Sequence, residues 1–152
     1  MRVAGCAVMS GVAMIVGILS VIAVRAAPQA EKKLAWKPIP FAVLKLDDQA
    51  PKSWNAYQVE KHHGWILVQL WKRYLLVDLK GEAVYDLDPQ KLATKGDSLE
   101  CSESDLPDKP IEIAEWNERD VGPVRRYRFR LGKNGHVLEL QIPLKPNGQP
   151  AY

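Results

Sequence analysis

The side chains in this chain that can bind a metal or move a proton are few. His62 and His63 lie between Glu60 and Gly64, and His136 follows Asn134 and Gly135. Neutral imidazole is the commonest ligand of zinc and copper, so these three are the candidate metal ligands. Neighbouring residues on a strand point to opposite faces, so His62 and His63 share an ion only if a turn at His63 and Gly64 realigns them. Without that turn, all three are histidines of surface loops. Cys101 sits among Glu100, Glu103 and Asp105. Negative neighbours raise a thiol's pKa and withhold the thiolate a nucleophile needs. Cys101 therefore reads as an inert loop thiol, or as one that pairs between chains in an oxidising compartment. The chain has no Gly-x-Ser-x-Gly elbow and no phosphate-binding glycine loop, and Pro89 directly after Asp88 ends any calcium loop begun at Asp86. A hydrolytic enzyme would have to gather dispersed carboxylates or the three histidines by folding. No catalytic residue can be assigned, and no cofactor is implied.

Charge is unevenly spread. Residues 97–120 hold nine acids and two bases, a balance of −7, whereas residues 121–152 hold six bases and one acid, a balance of +5. Arg126, Arg128 and Arg130 alternate with Tyr127 and Phe129. On a strand that alternation sends the arginines to one face and the rings to the other, whereas stacking on bases needs both on one surface. Nucleic acid is therefore not expected as a partner. Glu112, Glu115, Glu118 and Asp120 are expected to neutralise the arginine stripe across strands.

Five tryptophans, Trp36, Trp54, Trp65, Trp71 and Trp116, supply large apolar surface. Core packing accounts for most of them. Polar and proline-rich flanks make Trp36 and Trp54 the ones expected at the surface. If the fold encloses a ligand cavity, Trp65, Trp71, Tyr74 and Tyr127 are its expected lining.

These residues must be positioned by strands. After residue 27, short apolar runs rich in Val, Ile, Leu, Tyr and Trp are separated by Gly, Pro and charged turns, which is an all-β rhythm. About eight strands are expected, near Phe41–Leu46, Asn55–Glu60, Trp65–Trp71, Tyr74–Leu79, Ala83–Leu87, Pro110–Trp116, Val124–Leu131 and Val137–Ile142. They suit an antiparallel sandwich or a small barrel. Tyr74 to Val77 is apolar on both faces, which calls for cover on each side; the rival is one amphipathic helix from about Gln58 to Leu79. The last hairpin has two possible registers. A two-residue Asn134–Gly135 turn pairs Phe129 with Leu140, and a four-residue loop pairs Phe129 with Leu138; both keep Tyr127, Phe129, Leu131, Leu138, Leu140 and Ile142 on one face. Residues 91–109 read as an exposed, mobile loop, and residues 27–33 and the proline-rich 143–152 as tethers.

From Val3 to Val24 there are 22 residues without a charge, flanked by Arg2 and Arg25. This run has the features of a signal peptide cleaved after Ala26, and is also long enough for an uncleaved membrane anchor. Charge on the far flank, from Arg25, Lys32 and Lys33, leaves a cytoplasmic orientation as a further alternative. The run is in any case expected to be a partner of the membrane. Removal of residues 1–26 leaves a single domain, 27–152, whose formal charge is +1 and whose only cysteine is Cys101, so its core must hold it without an internal disulfide. The function expected from these features is that of an exported, periplasmic or extracellular, non-catalytic binding or interaction module at the cell envelope, with another envelope protein as the candidate partner. A small-ligand carrier is the alternative, and a hydrolytic enzyme a more distant one.

Overall fold

The computed structural model describes residues 32–47, 49–53 and 55–152, without the side chains of 52 and 53. The N-terminal apolar run and Trp54, on which a signal or anchor and an exposed ring were expected, lie outside the described residues. The described chain is all-β and antiparallel, and no helix in it reaches seven residues. Its twelve strands are β1 (Lys33–Pro38), β2 (Val43–Leu46), β3 (Lys52–Ser53), β4 (Ala56–Val59), β5 (Trp65–Leu70), β6 (Arg73–Asp78), β7 (Ala83–Leu87), β8 (Ala93–Lys95), β9 (Ser98–Ser102), β10 (Ile113–Val121), β11 (Val124–Leu131) and β12 (Val137–Pro143). Seven form one sheet in the order β7-β6-β5-β4-β1-β9-β8, and five form a second in the order β10-β11-β12-β2-β3.

Alternation along the strands explains how both sheets bury their apolar residues. Ile66, Val68 and Leu70 of β5 and Leu75 and Val77 of β6 share one apolar cluster with Leu44, Tyr127, Phe129, Leu138, Leu140 and Ile142 of the five-stranded sheet. The intervening residues Leu67 and Leu76 join Leu34, Trp36, Tyr57, Val59, Leu87, Leu99 and Cys101 in a second cluster on the other face of the seven-stranded sheet. No layer of strands covers that face, so the sheet curls to cover itself; Tyr74 of β6, Thr94 of β8 and Leu99 of β9 line one cleft although five strand spacings separate β6 from β8. The two-sided apolar stretch Tyr74–Val77 thus has cover on each side. The helical alternative for 58–79 is overturned. Gly64 has φ +93° in the turn between β4 and β5, and the β-branched residues around it pack in strands.

Four differences from the sequence reading have local causes. Phe41 is not in a strand but in the Ile39–Ala42 turn, closed by Ala42 N–H donating to the Ile39 carbonyl at 3.3 Å. Residues 91–109, expected to be an exposed loop, hold β8 and β9; acidic neighbours masked the alternating pair Leu99 and Cys101, which are 6% and 4% exposed. Residue 33, assigned to a tether, opens β1, where Leu34 and Trp36 are buried. The tail is also engaged: Leu144 bridges Pro150, Ala151 N–H donates to the Pro143 carbonyl at 2.8 Å, and Tyr152 packs on the first cluster.

The last hairpin takes the four-residue loop, with Arg128 opposite Glu139 and Phe129 opposite Leu138. Gly132, at φ +82°, supplies the left-handed residue in place of Asn134 and Gly135. A Cβ on Gly135 would overlap the Leu131 carbonyl oxygen, so this position tolerates only glycine in the observed loop.

Candidate functional site

The end of the seven-stranded sheet where β1 and β5 finish and β4 begins carries two aromatic residues in the open. Pro40 at the second position of the Ile39–Ala42 turn and φ +61° at the third, Phe41, match a type II turn, whose third position favours Gly or Asn. Phe41 is 77% exposed. The two-residue turn between β5 and β6 places Trp71 at φ +55°, and Trp71 is 60% exposed. A bulky L-residue in this backbone region is strained by about 1–2 kcal/mol, so both rings are presented against local preference. Gln69 steadies the second turn: its amide donates to the Trp71 carbonyl at 3.4 Å and its Oε1 accepts from the Tyr57 hydroxyl at 3.5 Å. Trp71 and Gln69 stand between two open clefts. One, of about 220 Å³, has Leu44, Leu46 and Leu70 in its wall; the other, of about 430 Å³, has Tyr74, Leu92 and Leu99.

Of the four aromatics expected to line one cavity, Trp71 and Tyr74 share the cleft of about 430 Å³, and Trp65 and Tyr127 do not join them. Trp65 and Tyr74 pack on the cluster inside the curled sheet, Tyr127 is buried in the cluster between the sheets, and Trp71 stands on its exposed turn. The tryptophan assignment is corrected as well: Trp36 is fully buried, and its indole N–H donates to Cys101 Sγ at 3.4 Å. Trp36 points inward because the β1 alternation carries Leu34 and Trp36 together onto the second cluster. Cys101 is buried rather than in an open loop. Its thiol pKa is raised above the ordinary value chiefly by burial, opposed by the Trp36 hydrogen bond, with Asp105 and Glu100 adding less. The sequence reading had the direction but took a minor cause for the main one.

The histidines are not brought together. His62 stacks on Trp65 with ring centroids 4.1 Å apart, and His63 is exposed in the same turn. His136, in the β11–β12 loop, contacts the carboxylate of Asp47, which also accepts the Val137 N–H at 2.8 Å. Sequence reasoning missed Asp47; no local pattern ties it to a residue 89 positions away. The Val137 N–H first, then His136, holds the Asp47 carboxyl below the usual carboxylate range. This pair ties the end of β2 to the start of β12. Among the described residues, no group of three or more His, Cys, Asp or Glu is placed to hold a metal ion.

The arginine stripe has the expected alternation: Tyr127 and Phe129 are 2% and 0% exposed, on the face away from Arg126, Arg128 and Arg130. Its neutralisation differs from expectation. Glu115 reaches Arg130 at 3.1 Å, whereas Glu118 and Asp120 pair with Arg125, at 3.9 and 2.7 Å. The register puts Glu118 opposite Tyr127 and Asp120 opposite Arg125, on the inner face. Comparison with family models, with curated proteins and with solved structures gave no match.

Proposed function

We propose that this chain is a non-catalytic binding module of the cell envelope, exported or tethered by its N-terminal apolar run, which docks a partner protein through the end bearing Phe41 and Trp71. The observation that carries this reading is the exposure of both rings, 77% and 60%, on strained turns at one end of one sheet. Exposed aromatics rimmed by polar residues are the usual anchors of protein interfaces. The rim here includes Lys72 and the exposed ion pair of Arg73 with Asp86, at 3.2 Å. We read the architecture as a two-sheet sandwich whose larger sheet curls towards a barrel. β1 begins at Lys33, so a tether made by the preceding residues joins this sheet at the end opposite the aromatic turns.

The geometry favours docking over the carrier alternative, because only Trp71 and Tyr74 of the four candidate lining residues share a cleft, which is open, and Trp65 and Tyr127 pack in two separate clusters. Site-specific photocrosslinking in intact cells tests the proposal. A photoreactive residue at position 41 or 71 should give the same dominant adduct, and one at the distant Lys61 should give none. Adducts no stronger at 41 and 71 than at 61 would refute it. N-terminal sequencing of the protein from fractionated cells separately tests export: cleavage after Ala26 is expected, or an intact N-terminus in the membrane fraction, and a cytosolic soluble protein would refute it.

A further inference from the structure

The outer face of the five-stranded sheet combines a concavity with unbalanced positive charge. A register shift between Ala114 and Asn117, with Glu115 at φ +60°, marks a β-bulge in β10. Bulges bend and twist a strand, and beside this one lies an open cleft of about 280 Å³. Arg119, Arg126, Arg128 and Asn117 line it, together with the acidic Glu115. Arg119 stands directly opposite Arg126, and Asn117 opposite Arg128. Directly opposed residues share a face with Cβ atoms about 4.5–5.5 Å apart, and like charges so placed oppose sheet formation. Arg126 approaches Glu139 only to 3.8 Å, and the carboxylate of Glu115 is taken by Arg130. Arg119 and Arg128 have no ion pair among the described residues. Three arginines thus line one concavity; Glu139, opposite Arg128 and 3.8 Å from Arg126, and Glu115, paired with Arg130, are the carboxylates beside them, so positive charge stays in excess and the Arg119–Arg126 repulsion is only partly offset.

We propose that this cleft binds a tetrahedral oxyanion, the phosphate or sulfate group of a small ester, between Arg119, Arg126 and Arg128. Guanidinium forks match such groups with paired, charge-assisted hydrogen bonds, and the Asn117 amide adds a neutral donor at the rim. The anion converts the cross-strand repulsion into mutual attraction. Nucleic acid fits this face less well, because it offers no ring for a base to stack on: Phe129 and Tyr127 are buried on the opposite side. The site is independent of the aromatic end and stands whether or not that end docks a partner.

The test uses the full chain in neutral detergent, with inorganic phosphate, sulfate and glycerol phosphate compared against chloride at matched ionic strength by calorimetric titration and thermal unfolding. The oxyanions should bind and raise Tm where chloride does not, with glycerol phosphate at least as tight as inorganic phosphate. Arg119→Gln and Arg128→Gln should each weaken binding about tenfold, and Lys61→Gln should leave it unchanged. Without anion, Arg119→Gln should raise Tm by about 1 °C, because it removes a like-charge pair. An arginine retained for stability would instead lower it. The proposal is overturned by any one of four results: chloride acting as well as phosphate, glycerol phosphate being excluded, Arg119→Gln lowering Tm in anion-free buffer, or a short oligothymidylate binding a hundredfold tighter than the ester.

Discussion

Position 41 offers a test in which stability and docking should separate. Phe41→Ala keeps the left-handed backbone strain and loses the ring; Phe41→Gly loses both. An L-residue at φ +61° costs about 1–2 kcal/mol, and the greater freedom of glycine in the unfolded chain returns roughly 0.5–1 kcal/mol of that advantage. The glycine variant should therefore be more stable than the alanine variant by about 0.5–1 kcal/mol, the reverse of their usual order. The ring itself contributes little. With 77% of the residue exposed, about a quarter of a 200 Å² side chain is buried, worth at most about 1 kcal/mol. Urea denaturation followed by tryptophan fluorescence measures both differences. Crosslinking from position 71 should fall equally in both variants, since both lack the ring. Alanine at least as stable as glycine would refute the strain argument, and undiminished crosslinking in both variants would remove Phe41 from the interface.

Other positions give further expected outcomes. Gly135→Ala should cost more than Gly132→Ala in thermal unfolding, because its Cβ overlaps the Leu131 carbonyl whereas nothing lies within 4 Å of the other; equal costs would show that the loop relaxes freely. Phe129→Ala removes a fully buried ring stacked on Trp116 at 5.0 Å and should cost about 3–5 kcal/mol in denaturant melts; less than 2 would mean the core collapses into the space. Cys101 should react with a thiol reagent only as fast as the protein unfolds, and reaction at a free-thiol rate in the native state would contradict its burial. Because the folded-state pKa of Asp47 is depressed, its stabilising effect is full above the ordinary carboxylate value of 3.8 and is lost as pH falls through the lowered one. The stability gap between wild type and Asp47→Asn should therefore close in that acid range, and a gap that persists below it would exclude the charge as the cause.

The fold was more legible than the site. Ala83–Leu87 and Val124–Leu131 match the sequence reading to the residue, because each is an alternating run bounded by turn residues. The strands β1 and β9 were missed because Lys33, Ala35 and Lys37 in one and Ser98, Glu100 and Ser102 in the other occupy the outward positions, so the buried pairs Leu34 with Trp36 and Leu99 with Cys101 look sparse in a window average. Phe41 was absorbed into a strand because its neighbours are apolar; only its position after Pro40 marked a turn. Trp71 was singled out as a cavity residue at the end of a Trp65–Trp71 strand, but the strand stops at Leu70 and the turn takes Trp71 and Lys72, which turns the ring outwards. The Arg119–Arg126 opposition depends on a bulge that shifts register, and nothing in the local sequence of β10 announces one.

That bulge has a bearing on solubility. β10 is nine residues long and borders its sheet, and an unpaired margin of such length is a template on which a second chain can lay a strand. A break in its regularity at Glu115, followed by Glu118, Arg119 and Asp120, denies an incoming chain both a straight run of amide donors and an uncharged surface. Straightening this margin and making it apolar would turn a guarded border into a seed for fibre growth.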